Sequence, residues 1–463
     1  MRIMKKFIGD RKFYRMLFQI ALPILIQNGI TNFVNMLDNV MVGQTGTEQM
    51  SGVAVTNQLI FVFNICIFGI VSGAGIFGAQ FYGSKNEEGF RNTFRFKIVY
   101  CALASLIGTL IFVAFGEGLI SQFLHEGGSG GGDLQATLLY GKEYLLIMLA
   151  GLLPFAVSQV YASTLREMGK TMLPMVAGVL AIVVNIVFNY ILIFGKFGAP
   201  ALGVAGAAIA TVISRFAEAI LIIVIVERNK EEYPFARGAY RNLWVPMDLQ
   251  KKIFLKGSPL ILNEVLWAAG MAVLNQSYSV RGLVVVAGIN ISSTISNVFS
   301  VFYLTLGSVV SIIIGQLLGA GKMEEAKDQD VKLIAASVMG SAAIGLIMIG
   351  AAPLFPRIYN TTEEVRGLAA GFITILAMIM PVQSFINCCY FTLRSGGKTV
   401  VTLLFDSVFV WVVSIPLARV LTGMTPLSIT TIFFCVQAAE VIKAVIGFVL
   451  LKKGVWLNNF VSD

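Results

Sequence analysis

Asp38, Asn57, Asn64, Asn185, Asn189, Thr211, Glu264 and Asp406 stand inside runs of otherwise apolar residues. A carboxylate in hydrocarbon is costly unless a cavity or a partner receives it, so each one is a candidate for binding chemistry by default. A carboxylate met by amide and hydroxyl groups can hold a proton or a monovalent cation. Helical spacing indicates which of these groups share a depth. Asp38 lies fifteen residues after Pro23, about 22 Å along a helix. Asn185 and Asn189, counted from Met172, lie about 20–26 Å along theirs. Asn57 enters from the opposite end and reaches a similar depth, as does Thr211, so these residues are expected to form one cluster in the first half of the chain. Glu264 follows Pro259 by five residues and Asp406 follows Thr399 by seven. Both therefore sit about 8–11 Å from their inner ends and are expected to share a second site.

The elements that must position these groups are membrane spans. The 463 residues are 57% hydrophobic and only 13% charged, with a mean hydropathy of +0.81. Soluble domains carry about 25% charge. The apolar runs have the length of roughly 20 residues needed to cross the hydrocarbon. Twelve spans are expected, starting near Leu17, Gly52, Phe94, Leu138, Met172, Gly203, Ile253, Val286, Lys332, Val365, Thr399 and Ser428. The basic N-terminal segment has no small-residue cleavage site after a short apolar core, so no removable signal peptide is read there. Most of the 34 Lys and Arg fall in one set of connections; the alternate set holds only Lys142, Lys196, Arg281, Arg357, Arg366 and Arg419. That bias puts both termini in the cytoplasm. It also accounts for the net charge of +9 as topology, with no nucleic-acid partner implied.

Enzymatic chemistry finds no footing here. The single histidine, His125, stands beside GGSGGG in a connection whose composition is that of a flexible linker. The five cysteines lie in apolar runs, spaced for neither zinc nor disulfides. TLREMGKT at 164–171 and TLRSGGKT at 392–399 end like phosphate loops, but Thr164 and Thr392 occupy the positions where such a loop needs glycine. Neither a cofactor nor a catalytic set is expected. Arg215 with Glu218, and Glu440 with Lys443, read as structural pairs along single helix faces.

The two octapeptides belong to a longer repeat. Pro23 pairs with Pro259, Gly52 with Gly288, Gln80 with Gln316 and Gly83 with Gly319, each 236 apart. The expected fold class is therefore an all-α integral membrane protein of twelve transmembrane helices. They form two six-helix lobes related by a pseudo-two-fold axis along the membrane normal. The N-terminal lobe is assigned to residues 1–226, a charged cytoplasmic linker to 227–252 and the C-terminal lobe to 253–463.

LPILIQNGITNFVNMLDNVMVG in the first span, GAQFYGSKNEE and GQLLGAGKMEE after spans two and eight, and both TLR..GKT turns together resemble the multidrug and toxic compound extrusion (MATE) transporters. The resemblance covers nearly the whole chain. It implies a secondary active transporter of the cytoplasmic (cell inner) membrane, a monomer that exports small organic cations across the lipid bilayer. Export would proceed by alternating access, in exchange for H⁺ or Na⁺. Carried over residue by residue, Asp38, Asn185, Asn189 and Thr211 correspond to a cation or proton site, with Asp38 and Asn185 the place a Na⁺ would take. Position 189 is Asn where many relatives have Asp. Pro23 corresponds to a first-helix proline whose bend is linked to protonation in some members. Asn57 and Asn64 are assigned to the substrate cavity. Relatives carry a seventh-span carboxylate about one turn deeper than Glu264, and their tenth-span acid is absent here. A lipid-linked sugar or lipid flippase of the same superfamily is the alternative, and would need cationic groups for pyrophosphate.

Overall fold

A chain in hydrocarbon must pair every backbone N–H and C=O within itself, which apolar runs of this length achieve only as helices. The computed structural model describes residues 7–124 and 133–461, and within them the regular structure is helical. His125 and the GGSGGG stretch lie outside the described residues. The first half carries α1 (Arg11–Gly43), α2 (Thr47–Gly83), α3 (Glu87–Ser121), α4 (Leu134–Leu149), α5 (Leu152–Glu167), α6 (Met172–Phe194) and α7 (Gly203–Arg228). The second carries α8 (Met247–Ser279), α9 (Leu283–Gly319), α10 (Met323–Ala351) and α11 (Glu363–Ser395). It ends with α12 (Thr399–Met424) and α13 (Ile429–Lys452). Eleven of these helices are long and apolar enough to span a membrane, and α4 with α5, bent by 50° at their junction, makes a twelfth span. The fold class is thus the all-α, twelve-span one expected from hydropathy.

Helix ends follow their sequence signals. Asp133 caps α4 by accepting from the backbone N–H groups of Gln135 and Ala136, and Asn86 caps α3 by accepting from Gly89. The two TLR..GKT turns close α5 and α11 identically. The amide of Gly169 donates to the Arg166 carbonyl and that of Lys170 to Leu165; Gly397 and Lys398 repeat the pattern onto Arg394 and Leu393. Gly169 and Gly397 sit at φ of 76° and 70°, where a side chain would be strained. The octapeptide is a helix terminator written once per repeat.

The chain divides into two compact units. Ile26–Gly78 with Asn86–Ile253 forms one; the chain up to Leu25, Ala79–Lys85 and the chain from Phe254 onward form the other. In the first unit, the stretch joining α7 to α8 is packed down. Phe235 is buried among Phe90, Phe94 and Tyr161, and Arg95 donates to the carbonyls of Gly238 and Ala239. In the second unit, Phe13, Leu17 and Ile24 of α1 pack into a core with Val309, Ile313, Leu393 and Trp456.

Two irregularities bear on the sites. At the break between α4 and α5 the Gly151 carbonyl accepts from the Phe155 amide at 3.2 Å and also from the Arg215 guanidinium at 3.3 Å, while that guanidinium lies 5.0 Å over the Phe155 ring. Arg215 therefore holds the start of α5 and, among the described residues, does not form the expected ion pair with Glu218. The second irregularity is in α12, where Leu404–Val408 and Val410–Ser414 wind as π-helix. Such widened turns redirect side chains and occur frequently at functional positions.

Candidate functional site

Asp38 lies five residues before the end of α1, downstream of Pro23, which is inside the same helix. Asn185 and Asn189 are one turn apart on one face of α6, and Thr211 lies on α7 beside them. The Asn189 amide nitrogen donates to Asp38 Oδ1 at 2.8 Å. The Asn185 carboxamide lies 3.0 and 3.1 Å from the two Asp38 oxygens, and with its nitrogen turned toward them it donates to both. The Thr211 hydroxyl lies 3.3 Å from the other end of the Asn185 amide. Asn185 and Asn189 are buried whereas Asp38 is partly exposed. The structure thus joins all four side chains in one cluster.

The cluster has two self-consistent hydrogen-bonding states. An ionised Asp38 accepts only, and both amide nitrogens can serve it. A protonated Asp38 has one O–H to give, and Asn185 with its oxygen toward Asp38 accepts it. In that orientation Asn189 also donates to Asn185 Oδ1, at 3.1 Å. The Asn189 Oδ1 is buried without a hydrogen-bond partner. An unpaired buried carbonyl next to a carboxylate is unfavourable alone and is an oxygen available to a cation.

Asn57 is exposed, and its Oδ1 accepts from the Tyr144 hydroxyl at 3.5 Å. Tyr144 escaped the sequence reading because a tyrosine in an apolar run reads as packing; its depth on α4 was the available signal. Asn64, seven residues beyond Asn57 on α2, keeps a buried Oδ1 with no partner. The approach of α2 to α4 depends on Gly52, where a Cβ would lie 2.7 Å from the Thr137 carbonyl.

In the other unit the two carboxylates have different direct partners. Asp406 accepts from Lys443 Nζ at 2.8 Å through Oδ1 and from Asn263 Nδ2 at 3.1 Å through Oδ2. Lys443 also reaches Glu440 Oε2 at 3.5 Å. Glu264, next to Asn263 on α8, forms no hydrogen bond or ion pair among the described residues. Lys443 was thus expected on Glu440 alone, and its stronger partner on α12 was missed. Among the described residues no three His, Cys, Asp or Glu side chains gather to hold a metal ion.

A twelve-span, all-helical chain with polar clusters inside its spans has the architecture of a membrane transporter. A family model described as MatE matches it twice, over residues 23–191 and 259–420, and the chain belongs to that family of transporters. It is accordingly not an enzyme. It is 25% identical over 448 residues, 95% of this chain and 92% of the relative, to a probable multidrug resistance protein NorM of Thermotoga maritima. The probable multidrug resistance protein YoeA of Bacillus subtilis is 23% identical over 92% of this chain and 90% of its own. Among solved structures, an outward-facing multidrug resistance MATE family transporter superposes with a TM-score of 0.86, at 19% identity and 97% coverage of both chains. A Pyrococcus furiosus transporter of the MOP superfamily, described as having a binding pocket of reverse polarity, gives 0.83 at 19% identity and 97% coverage of both.

Proposed function

We propose that the protein is a multidrug exporter that moves small organic cations out of the cell by alternating access, in exchange for protons taken up at Asp38. The observation that carries this reading is the Asp38–Asn189–Asn185–Thr211 cluster, with its two hydrogen-bonding states and the unpaired Asn189 oxygen beside the carboxylate. Deprotonated, Asp38 attracts a cation; protonated, it turns its hydrogen toward Asn185 and the attraction is lost. Proton and drug therefore compete for one carboxylate, and each weakens the other's binding by the same factor.

Sodium is the weaker candidate at Asp38 and Asn185. A hard cation needs several oxygens about it, whereas Asn189 presents its amide nitrogen to Asp38, and beyond Asp38 itself only the Asn185 and Asn189 amide oxygens stand near among the described residues. One pH unit across the membrane supplies about 1.4 kcal/mol. If one proton exchanges for one monovalent cation, the membrane potential adds nothing; each further charge moved would add about 2.3 kcal/mol per 100 mV. The unequal distribution of Lys and Arg supports a cytoplasmic-membrane protein with both termini inside. A flippase for pyrophosphate-linked sugars gains no support: Lys97, Arg215 and Lys443, cations within the spans, are already committed to Glu167, to Gly151 and Phe155, and to Asp406 and Glu440.

The test uses everted vesicles holding an acid-inside gradient without sodium, to which ethidium is added. Collapse of the gradient in the wild type and its absence in Asp38→Asn are the expected results. An unchanged wild-type gradient, with collapse of an imposed sodium gradient instead, would replace the proton with Na⁺.

A further inference from the structure

The second unit holds a cluster that proton exchange at Asp38 does not use. Lys443 on α13 is 4% exposed. Its ammonium lies 2.8 Å from Asp406 Oδ1, 3.5 Å from Glu440 Oε2 and 5.8 Å from the ring centres of both Phe405 and Phe409. The π-helical turn at Leu404–Val408 lets Phe405, Asp406 and Phe409 all address the same ammonium. Asp406 is fixed from behind by Asn263, whose own Oδ1 accepts from the Ser407 hydroxyl at 2.7 Å.

We propose that this is an ammonium-binding box for a mobile cation, which Lys443 keeps filled as a resident cation. Two carboxylates and two aromatic faces around one positive nitrogen are the means by which proteins recognise alkylammonium groups. Stability alone does not account for it, since an apolar replacement of a buried ion pair is often neutral or stabilising. With the box filled from within the chain, a cycle binds its exchangeable cation at Asp38 and none here. This last consequence rests on the proton-exchange reading; the box itself does not.

The experiment is chemical rescue on the purified full-length protein. Lys443→Ala removes the three outer methylenes and the ammonium, the atoms that propylammonium would restore. Thermal unfolding is followed with propylammonium or, as the uncharged control, propan-1-ol. The expected result is a lowered midpoint in K443A that climbs with the logarithm of propylammonium concentration. Propan-1-ol should have no such effect, and neither the wild type nor K443A/D406N should respond to propylammonium. If K443A cannot be purified folded, the expected result is folded protein only when propylammonium is present from expression onward. A midpoint indifferent to propylammonium, an equal response in K443A/D406N, or no folded protein under either condition overturns the proposal. The readout is unfolding, so its failure is distinct from failure of proton exchange at Asp38.

Discussion

A Cβ placed on Gly83 would lie 1.9 Å from the Gln316 carbonyl oxygen, and one on Gly319 would lie 1.9 Å from the Gln80 carbonyl oxygen. These four residues are two of the pairs that repeat 236 apart, so the repeat in sequence is a reciprocal backbone contact in space. Gln80 adds side-chain bonds from the same place, donating to the carbonyls of Ser395 and Asn458 and accepting from the Phe460 amide. Backbone cannot yield as a side chain can. Gly83→Ala or Gly319→Ala should therefore cost at least the usual 1–3 kcal/mol of overpacking. The check is the thermal midpoint of the purified variants. Gly350→Ala, where a Cβ meets nothing within 4 Å, should leave it unchanged.

Asn189→Asp would put a second carboxylate at hydrogen-bond distance from Asp38. Two carboxylates that close share a proton or take a cation between them. The variant should acquire a sodium-dependent rise in melting temperature that the wild type lacks. Titration with NaCl against choline chloride separates this from a general salt effect.

Lys97 is fully buried and its Nζ meets Glu167 Oε1 at 2.5 Å, with Ser163 and Thr164 alongside. Removing one partner strands a charge, so Lys97→Met should cost about 3–5 kcal/mol. Lys97→Met with Glu167→Met should recover much of that loss, because no charge is left unpaired. A double variant no more stable than the single one would assign the loss to packing.

Arg215→Met removes the guanidinium from the Phe155 ring and from the Gly151 carbonyl, which keeps the Phe155 amide as its donor. The expected loss is about 1–2 kcal/mol, that of one long charged hydrogen bond and a cation–π contact. Arg215→Lys, which cannot lie flat on the Phe155 ring, should recover only part of it. A wild-type melting midpoint in Arg215→Met would show that the break does not depend on the guanidinium.

The spans and their repeat are legible because hydrocarbon imposes one length and one backbone geometry on every segment. The grouping of Asp38 with Asn185, Asn189 and Thr211 could be read as depth along regular helices, since rise per residue fixes depth without knowledge of neighbours. Facing is harder. Asp406 and Lys443 are 37 residues apart, and they meet through a π-helical turn that shifts the side chains of α12 out of regular register. No apolar periodicity announces that turn, so the Asp406–Lys443 contact was not legible, whereas i,i+3 spacing did give Lys443 with Glu440. Arg215 misled for a related reason. Its partners are the Gly151 carbonyl and the Phe155 ring at a break between two helices, and a broken span has the composition of an intact one.

Proton release on drug binding tests the central claim most directly. Purified protein in weak buffer near neutral pH is mixed with tetraphenylphosphonium, and the protons released are counted with an indicator dye. Wild type should release up to about one proton per bound cation, as competition at a single carboxylate requires. Asp38→Asn should release none and should bind the cation about 10–100-fold more weakly, the loss of one charged contact of roughly 1.5–3 kcal/mol. Tight binding without proton release in the wild type, or release unchanged in Asp38→Asn, would contradict exchange at Asp38.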